Sequence, residues 1–96
     1  MQREQTLPYT TEVGGADGQI QFVVYADPAK SPWGSWGGDA IVANIVSLIE
    51  QLGYVQRAFR GHVTRGTLHL YINLTEGTDR SSAADDINGI VARFFE

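Results

Sequence analysis

The sequence predicts an α+β fold: a two-layer sandwich in which a four-stranded antiparallel sheet carries two helices on one face, in the order ββαββα. Three observations predict it. Leu68, Leu70, Ile72 and Leu74 alternate with Thr67, His69, Tyr71, Asn73 and Thr75, the period of a strand with one buried and one solvated face. Two other stretches repeat apolar residues at helical spacing. Glycine-rich turn clusters then divide the chain into two strand-strand-helix halves of similar length, with no residue-level repeat between them. Antiparallel strands with one apolar face need a cover, and the two helices supply it.

The first strand is expected over residues 7–13, with Tyr9, Thr11 and Val13 on one face. Pro8 removes an amide donor, which suits an edge position. Residues 14–18, Gly-Gly-Ala-Asp-Gly, form a turn. Ile20, Phe22 and Val24 then alternate with Gln21, Val23 and Tyr25 as a buried second strand, closed by Asp27-Pro28.

After a loop over residues 29–38, Asp39 is the expected N-cap of a helix that runs to Leu52, with Gly53 as its stop. Ile41, Ile45, Leu48, Ile49 and Leu52 form its main stripe, widened by Val42 and Val46, while Ala40, Ala43, Asn44 and Ser47 form a small-residue face. That breadth predicts packing against two neighbours and suggests a two-fold dimer. Residues 54–63 and 67–75 pair as a hairpin around Thr64-Arg65-Gly66. Asp79 or Ser81 caps a final helix with the stripe Ala83, Ala84, Ile87, Ile90, Val91, Phe94 and Phe95, and Gly89 within it predicts a close backbone approach.

At 96 residues the chain is a single domain, with residues 1–5 expected as a disordered tail. A chain of this size buries roughly 60–65% of its unfolded surface, enough for one core. The absence of cysteine rules out a disulfide framework, a thiolate metal site and a cysteine nucleophile. A net charge of −4 argues against a general nucleic-acid binder. The longest apolar run, residues 40–49, is too short to span a bilayer, and the polar start lacks a signal-peptide core. The chain is therefore expected in the cytoplasm, away from membranes.

Both tryptophans, Trp33 and Trp36, sit in the glycine-rich segment before the first helix, with Gly37 and Gly38 beside them. Exposed indoles next to free amides at a helix start read as a contact loop. The opposing reading folds a tryptophan back onto the core, with the glycines allowing the bend. No P-loop lysine is present, and Asp39 opposes a bound anion.

The solvated sheet face is the second candidate. With Val55, Phe59 and Val63 toward the helices, Gln56, Ala58, Arg60 and His62 point outward, joining His69, Tyr71 and Asn73, with Arg65 at the rim. Arg57 then points awkwardly inward, and a one-residue slip reverses the whole strand. His62 and His69 are candidate cross-strand neighbours, but no carboxylate aligns with them as a further metal ligand. Asp85 and Asp86 are expected in the first turns of the last helix, where the dipole favours acids.

No nucleophile, metal signature or cofactor fingerprint emerges from these patterns. The expected function is a small non-enzymatic module acting by protein–protein interaction: an inhibitor, immunity-type or accessory protein such as phages and mobile elements encode, and a homodimer. The alternative is a small-molecule or nucleotide-binding protein that uses the tryptophan-glycine loop and nearby arginines. Binding of single-stranded RNA on the sheet face is a third reading.

Overall fold

A computed structural model describes residues 9–16, 18–34 and 37–95. The order is β1 (Tyr9–Gly14), β2 (Gln19–Ala26), α1 (Gly38–Glu50), β3 (Val55–Val63), β4 (Thr67–Leu74) and α2 (Arg80–Arg93). The strands form one antiparallel sheet in the order β1-β2-β4-β3. This is the expected ββαββα α+β arrangement, with β1 at one edge and β3 at the other. Pro8 lies outside the described residues.

The alternating pattern that marked β4 organises the core. Ile20, Phe22 and Val24 of β2 lie opposite Ile72, Leu70 and Leu68 of β4, and all six are buried to within 1% of complete exclusion. One cluster joins this sheet face to Val42, Ile45 and Ile49 of α1 and to Ala83, Ile87 and Val91 of α2. Each large aliphatic side chain buried this way contributes about 1.5–3 kcal/mol. Helix α1 meets both β3 and α2, as its broad stripe predicts. Ala40, Ala43, Asn44 and Ser47 nevertheless stay exposed, so neither neighbour covers the small-residue face.

Two local expectations are corrected. Gly37, not Asp39, is the N-cap of α1, with φ at 87°, a left-handed conformation that glycine adopts without a Cβ penalty. Asp39 instead sits in the first turn, where its charge still meets the positive end of the helix. Asp85 and Asp86 lie in the second turn of α2, within the first turns expected, while the first turn itself carries no acid. Gly89 faces solvent, and a methyl added there would meet nothing within 4 Å, so no close approach explains it.

Helix α2 is capped by Asp79, whose carboxylate accepts from the Ser82 amide at 3.3 Å and the Ser82 hydroxyl at 2.8 Å. These bonds hold the carboxyl below its ordinary value. The sign follows: a group bound more tightly as its anion stabilises the fold above its unfolded pKa of about 4. That contribution is lost as the pH falls through the lower folded value. The protection of the first-turn amides of α2, relative to their free exchange rates, is expected to fall in acid, and an Asp79→Asn variant to flatten that dependence.

Candidate binding surface

The register of β3 decides which side chains reach the free face of the sheet. Val55 pairs with Leu74 and Arg57 with Asn73, leaving Gln56 as an extra residue. A second irregularity falls between Arg60, opposite Leu70, and Val63, opposite Leu68. Each bulge shifts the alternation by one. Arg57 and Phe59 therefore join the outer face opposite Asn73 and Tyr71, and the awkward inward arginine disappears.

The same shift corrects two outward assignments. Ala58 lies opposite Ile72 and is buried, while Arg60 lies on the helix side, opposite Leu70. Arg60 donates to Asp39 of α1 at 3.0 Å, with both side chains well exposed. Such a surface pair contributes about 0–1 kcal/mol. His62 falls in the second bulge and is not paired with His69. No group of three potential metal-ligating side chains is found among the described residues.

The outer face is a ring-rich surface. His69 and Tyr71 stack at 5.3 Å with planes 8° apart, and Phe59 stacks on Tyr71 at 6.0 Å. Tyr71 spreads over Gly61, where an added Cβ would lie 2.3 Å from the ring, so glycine at that position lets the ring lie across β3. A Gly61→Ala variant is expected to lift the Tyr71 ring, since the ring is the flexible partner. The check is the ring-current shift of the His69 imidazole protons, which should move toward random-coil values. Asn73 accepts from the Gln19 side-chain amide at 3.2 Å.

On β2, Val23 is only 7% exposed although it faces this side, whereas Tyr25 is 42% exposed and Phe59 of β3 40%. The Tyr25 hydroxyl donates to Glu12 at 2.9 Å. That bond, with a smaller share from burial and from the carboxylate charge, raises the phenol above its ordinary value, so Tyr25 stays a neutral donor. Beside it an open depression of about 440 Å³ is lined by Glu12, Gly14, Gln21, Val23 and His69 among others. Phe59 and Tyr25 carry exposed rings that no pattern count had singled out. Phe59 was hidden by the bulge at Gln56, which only the paired strand reveals.

The tryptophan-glycine loop is built differently from a contact loop where it is described. Trp33 is 5% exposed and belongs to the core cluster. Its indole meets Phe95 edge-on at 5.5 Å, and Phe95 stacks on Tyr9 at 4.4 Å. Tyr9 in turn donates to Asn88 of α2 at 3.0 Å. The loop is fastened from below: buried Ser31 donates its hydroxyl to the Arg65 carbonyl, and the Arg65 guanidinium donates to Gly34 at 3.4 Å. Trp33 is thus the tryptophan that folds back onto the core. Trp36 lies outside the described residues.

Gly38 shows why the loop needs glycine. A Cβ there would lie 2.0 Å from the Trp33 carbonyl oxygen and 2.7 Å from its carbon, both backbone atoms. Gly38→Ala is therefore expected to destabilise the fold by about 1–3 kcal/mol, as overpacking does. A thermal shift measurement checks it; an unchanged melting temperature would mean the loop yields freely.

Of the residues expected to form a site, His69, Tyr71 and Asn73 share the outer face. Arg60 lies at the opposite side beside α1. Arg65, Gly37 and Gly38 hold the loop and the start of α1. Compared with family models, with curated proteins and with solved structures, the chain finds no match in any of the three.

Proposed function

We propose that the chain is a non-enzymatic protein-binding module whose contact surface is the outer face of the sheet. One observation carries the reading: a continuous set of rings, Phe59, Tyr71 and His69, lies on a sheet face with exposed apolar surface and charges only toward its edges. Aromatic residues at the centre and charges at the rim are the composition of protein interfaces. Inhibitor, immunity-type and accessory proteins act through such a surface without chemistry of their own.

The small-molecule reading is weakened at three of its residues. Trp33 is enclosed by the core, Arg60 is engaged by Asp39, and Arg65 is engaged by the Gly34 carbonyl. Against RNA stands the charge: the net value is −4, and Arg57 is the arginine that the strand register puts on this face.

The test is affinity capture from the source cells with the wild-type chain and with a Phe59→Ser/Tyr71→Ser variant. Proteins retained by the wild type are expected to be lost with the variant and kept by an Ala43→Ser control on α1. Retention by all three chains would contradict the reading.

A further inference from the structure

We infer that two copies of this chain pair through their β1 edges, antiparallel across a two-fold axis perpendicular to the sheet. The surface is distinct from the ring-bearing face, and the inference stands apart from the reading of that face. It comes from how differently the two edges of the sheet are finished.

An open edge is a row of unpaired amides and carbonyls that accepts another strand, and folds blunt it with bulges, charge or cover. The β3 edge is blunted in all three ways. It carries two register shifts and two exposed arginines, Arg57 and Arg60, and Glu50 of α1 accepts from its Ala58 amide at 3.0 Å. The β1 edge is left plain. Its register with β2 runs without a shift from Tyr9 to Gly14, Glu12 is its one charge, and every residue after Tyr9 is exposed.

Alternation decides which main-chain groups of β1 face outward. The Ala26 amide donates to Gly66 at 2.7 Å, and the Gly18 carbonyl accepts from Leu74 at 2.8 Å. Even-numbered residues of β2 therefore face β4 and odd-numbered ones face β1, since successive residues of a strand bond to opposite sides. Tyr25, Val23 and Gln21 thus engage Thr10, Glu12 and Gly14. The amides and carbonyls of Tyr9, Thr11 and Val13 are left on the open side. Those of Thr11 and Val13 have no partner among the described residues.

This outward set pairs with itself. A ladder centred on Thr11 sets Thr11 against its own copy and Tyr9 against Val13, each facing pair exchanging two hydrogen bonds. Glu12 then lies opposite the neutral Thr10. Centring on Glu12 instead brings two carboxylates face to face, which destabilises a ladder. The side chains agree with the Thr11 centre. Val13 is on the helix side, opposite Phe22, yet it is 48% exposed. In the centred register it lands beside Tyr9 of the other copy, so apolar surface left bare in one chain is covered in two. The axis also keeps both outer faces on one side, so the two sheets join into one with the rings of both copies on a common face. A strand pair of this length is smaller than a standard interface, and a dissociation constant of about 10–100 μM is expected.

The experiment is sedimentation velocity on the full chain and on Thr11→Lys and Thr11→Glu variants, each first checked for wild-type circular dichroism. Thr11 is exposed in the single chain, so neither substitution touches the core. The wild type is expected to dimerise reversibly, and each variant alone to associate at least about tenfold more weakly, because like charges meet at the axis. An equimolar mixture is expected to recover a heterodimer close to wild-type strength, since lysine then faces glutamate. Hydrogen exchange at the Thr11 and Val13 amides should slow as the wild-type concentration rises.

A wild-type chain still monomeric at about 1 mM overturns the inference, as does a dimer indifferent to both substitutions or a mixture that fails to recover. The Phe59→Ser/Tyr71→Ser variant is expected to dimerise like the wild type. If that variant alone loses the dimer, self-association uses the ring-bearing face and the β1 pairing falls while the face stands. If the wild type stays monomeric and Thr11→Lys releases a captured protein, the edge takes a foreign strand and the second copy is excluded.

Discussion

Trp33→Ala is expected to destabilise the protein by about 3–5 kcal/mol, the cost of removing a large buried aromatic side chain. The size of the effect follows from where the ring sits. Trp33 is 5% exposed, lies against Phe95, and through Phe95 reaches Tyr9 of β1. Its loss opens a cavity where the first edge strand, the end of α2 and the loop converge, and Phe95 loses its edge-to-face partner. Urea unfolding should show a lower midpoint at unchanged slope. A loss below about 1 kcal/mol would place the ring at a site able to collapse or already wet. A Trp36→Phe background lets Trp33 report alone, and its emission is expected to be blue and protected from iodide.

Leu70→Ala is expected to cost about 2–5 kcal/mol. Leu70 is fully buried on β4, opposite Phe22 on one side and Arg60 on the other. The two neighbouring strands hold it at the middle of the sheet, so the backbone cannot close over the vacated volume without breaking ladder hydrogen bonds. The outward neighbours on the same strand provide the control. Substitution of Thr67 by serine removes one methyl from a half-buried position and should change stability by a few tenths of a kcal/mol. Equal losses at the two positions would contradict the inner and outer assignment of β4.

The contrast between these residues shows what the sequence alone could yield. β4 was legible because its alternation is unbroken from Thr67 to Leu74 and its pairing with β2 runs without a shift. β3 was not, because the residue left over at Gln56 shifts the side chains from Arg57 to Arg60 to the other face until the second bulge restores Val63, and a bulge is a property of two strands rather than one. Phe59 thereby moved from expected core to the outer face, and Ala58 moved the other way. The glycines around Trp33 signalled a bend correctly. Whether a bend carries a ring outward or inward depends on a receptor for it, here Phe95, 62 positions further along. Gly37 took the cap position that Asp39 fits by composition, since the chain enters α1 through a left-handed residue.

Tyr54 illustrates the same limit at the level of polar contacts. Its hydroxyl donates to Asp86 at 2.6 Å, tying the start of β3 to α2. Burial, with help from that carboxylate, raises the phenol well above its ordinary value. Read along the helix, Asp86 was only an acid favoured by the dipole; across the fold it is an acceptor that joins two elements. Glu50 of α1 likewise accepts from the Ala58 amide at 3.0 Å, satisfying a donor of edge strand β3.

The most direct test of the outer face as the contact surface is an amide-shift map of the nitrogen-15-labelled chain as it enters a complex. Its own dilution series comes first, and any captured partner second. With the captured partner, the account predicts that the largest shifts fall on Val23, Tyr25, Phe59, His69 and Tyr71. Shifts concentrated instead on Ala40, Ala43 and Ser47 of α1, or on Gly37 and Gly38, would contradict it and move the contact to the helix side.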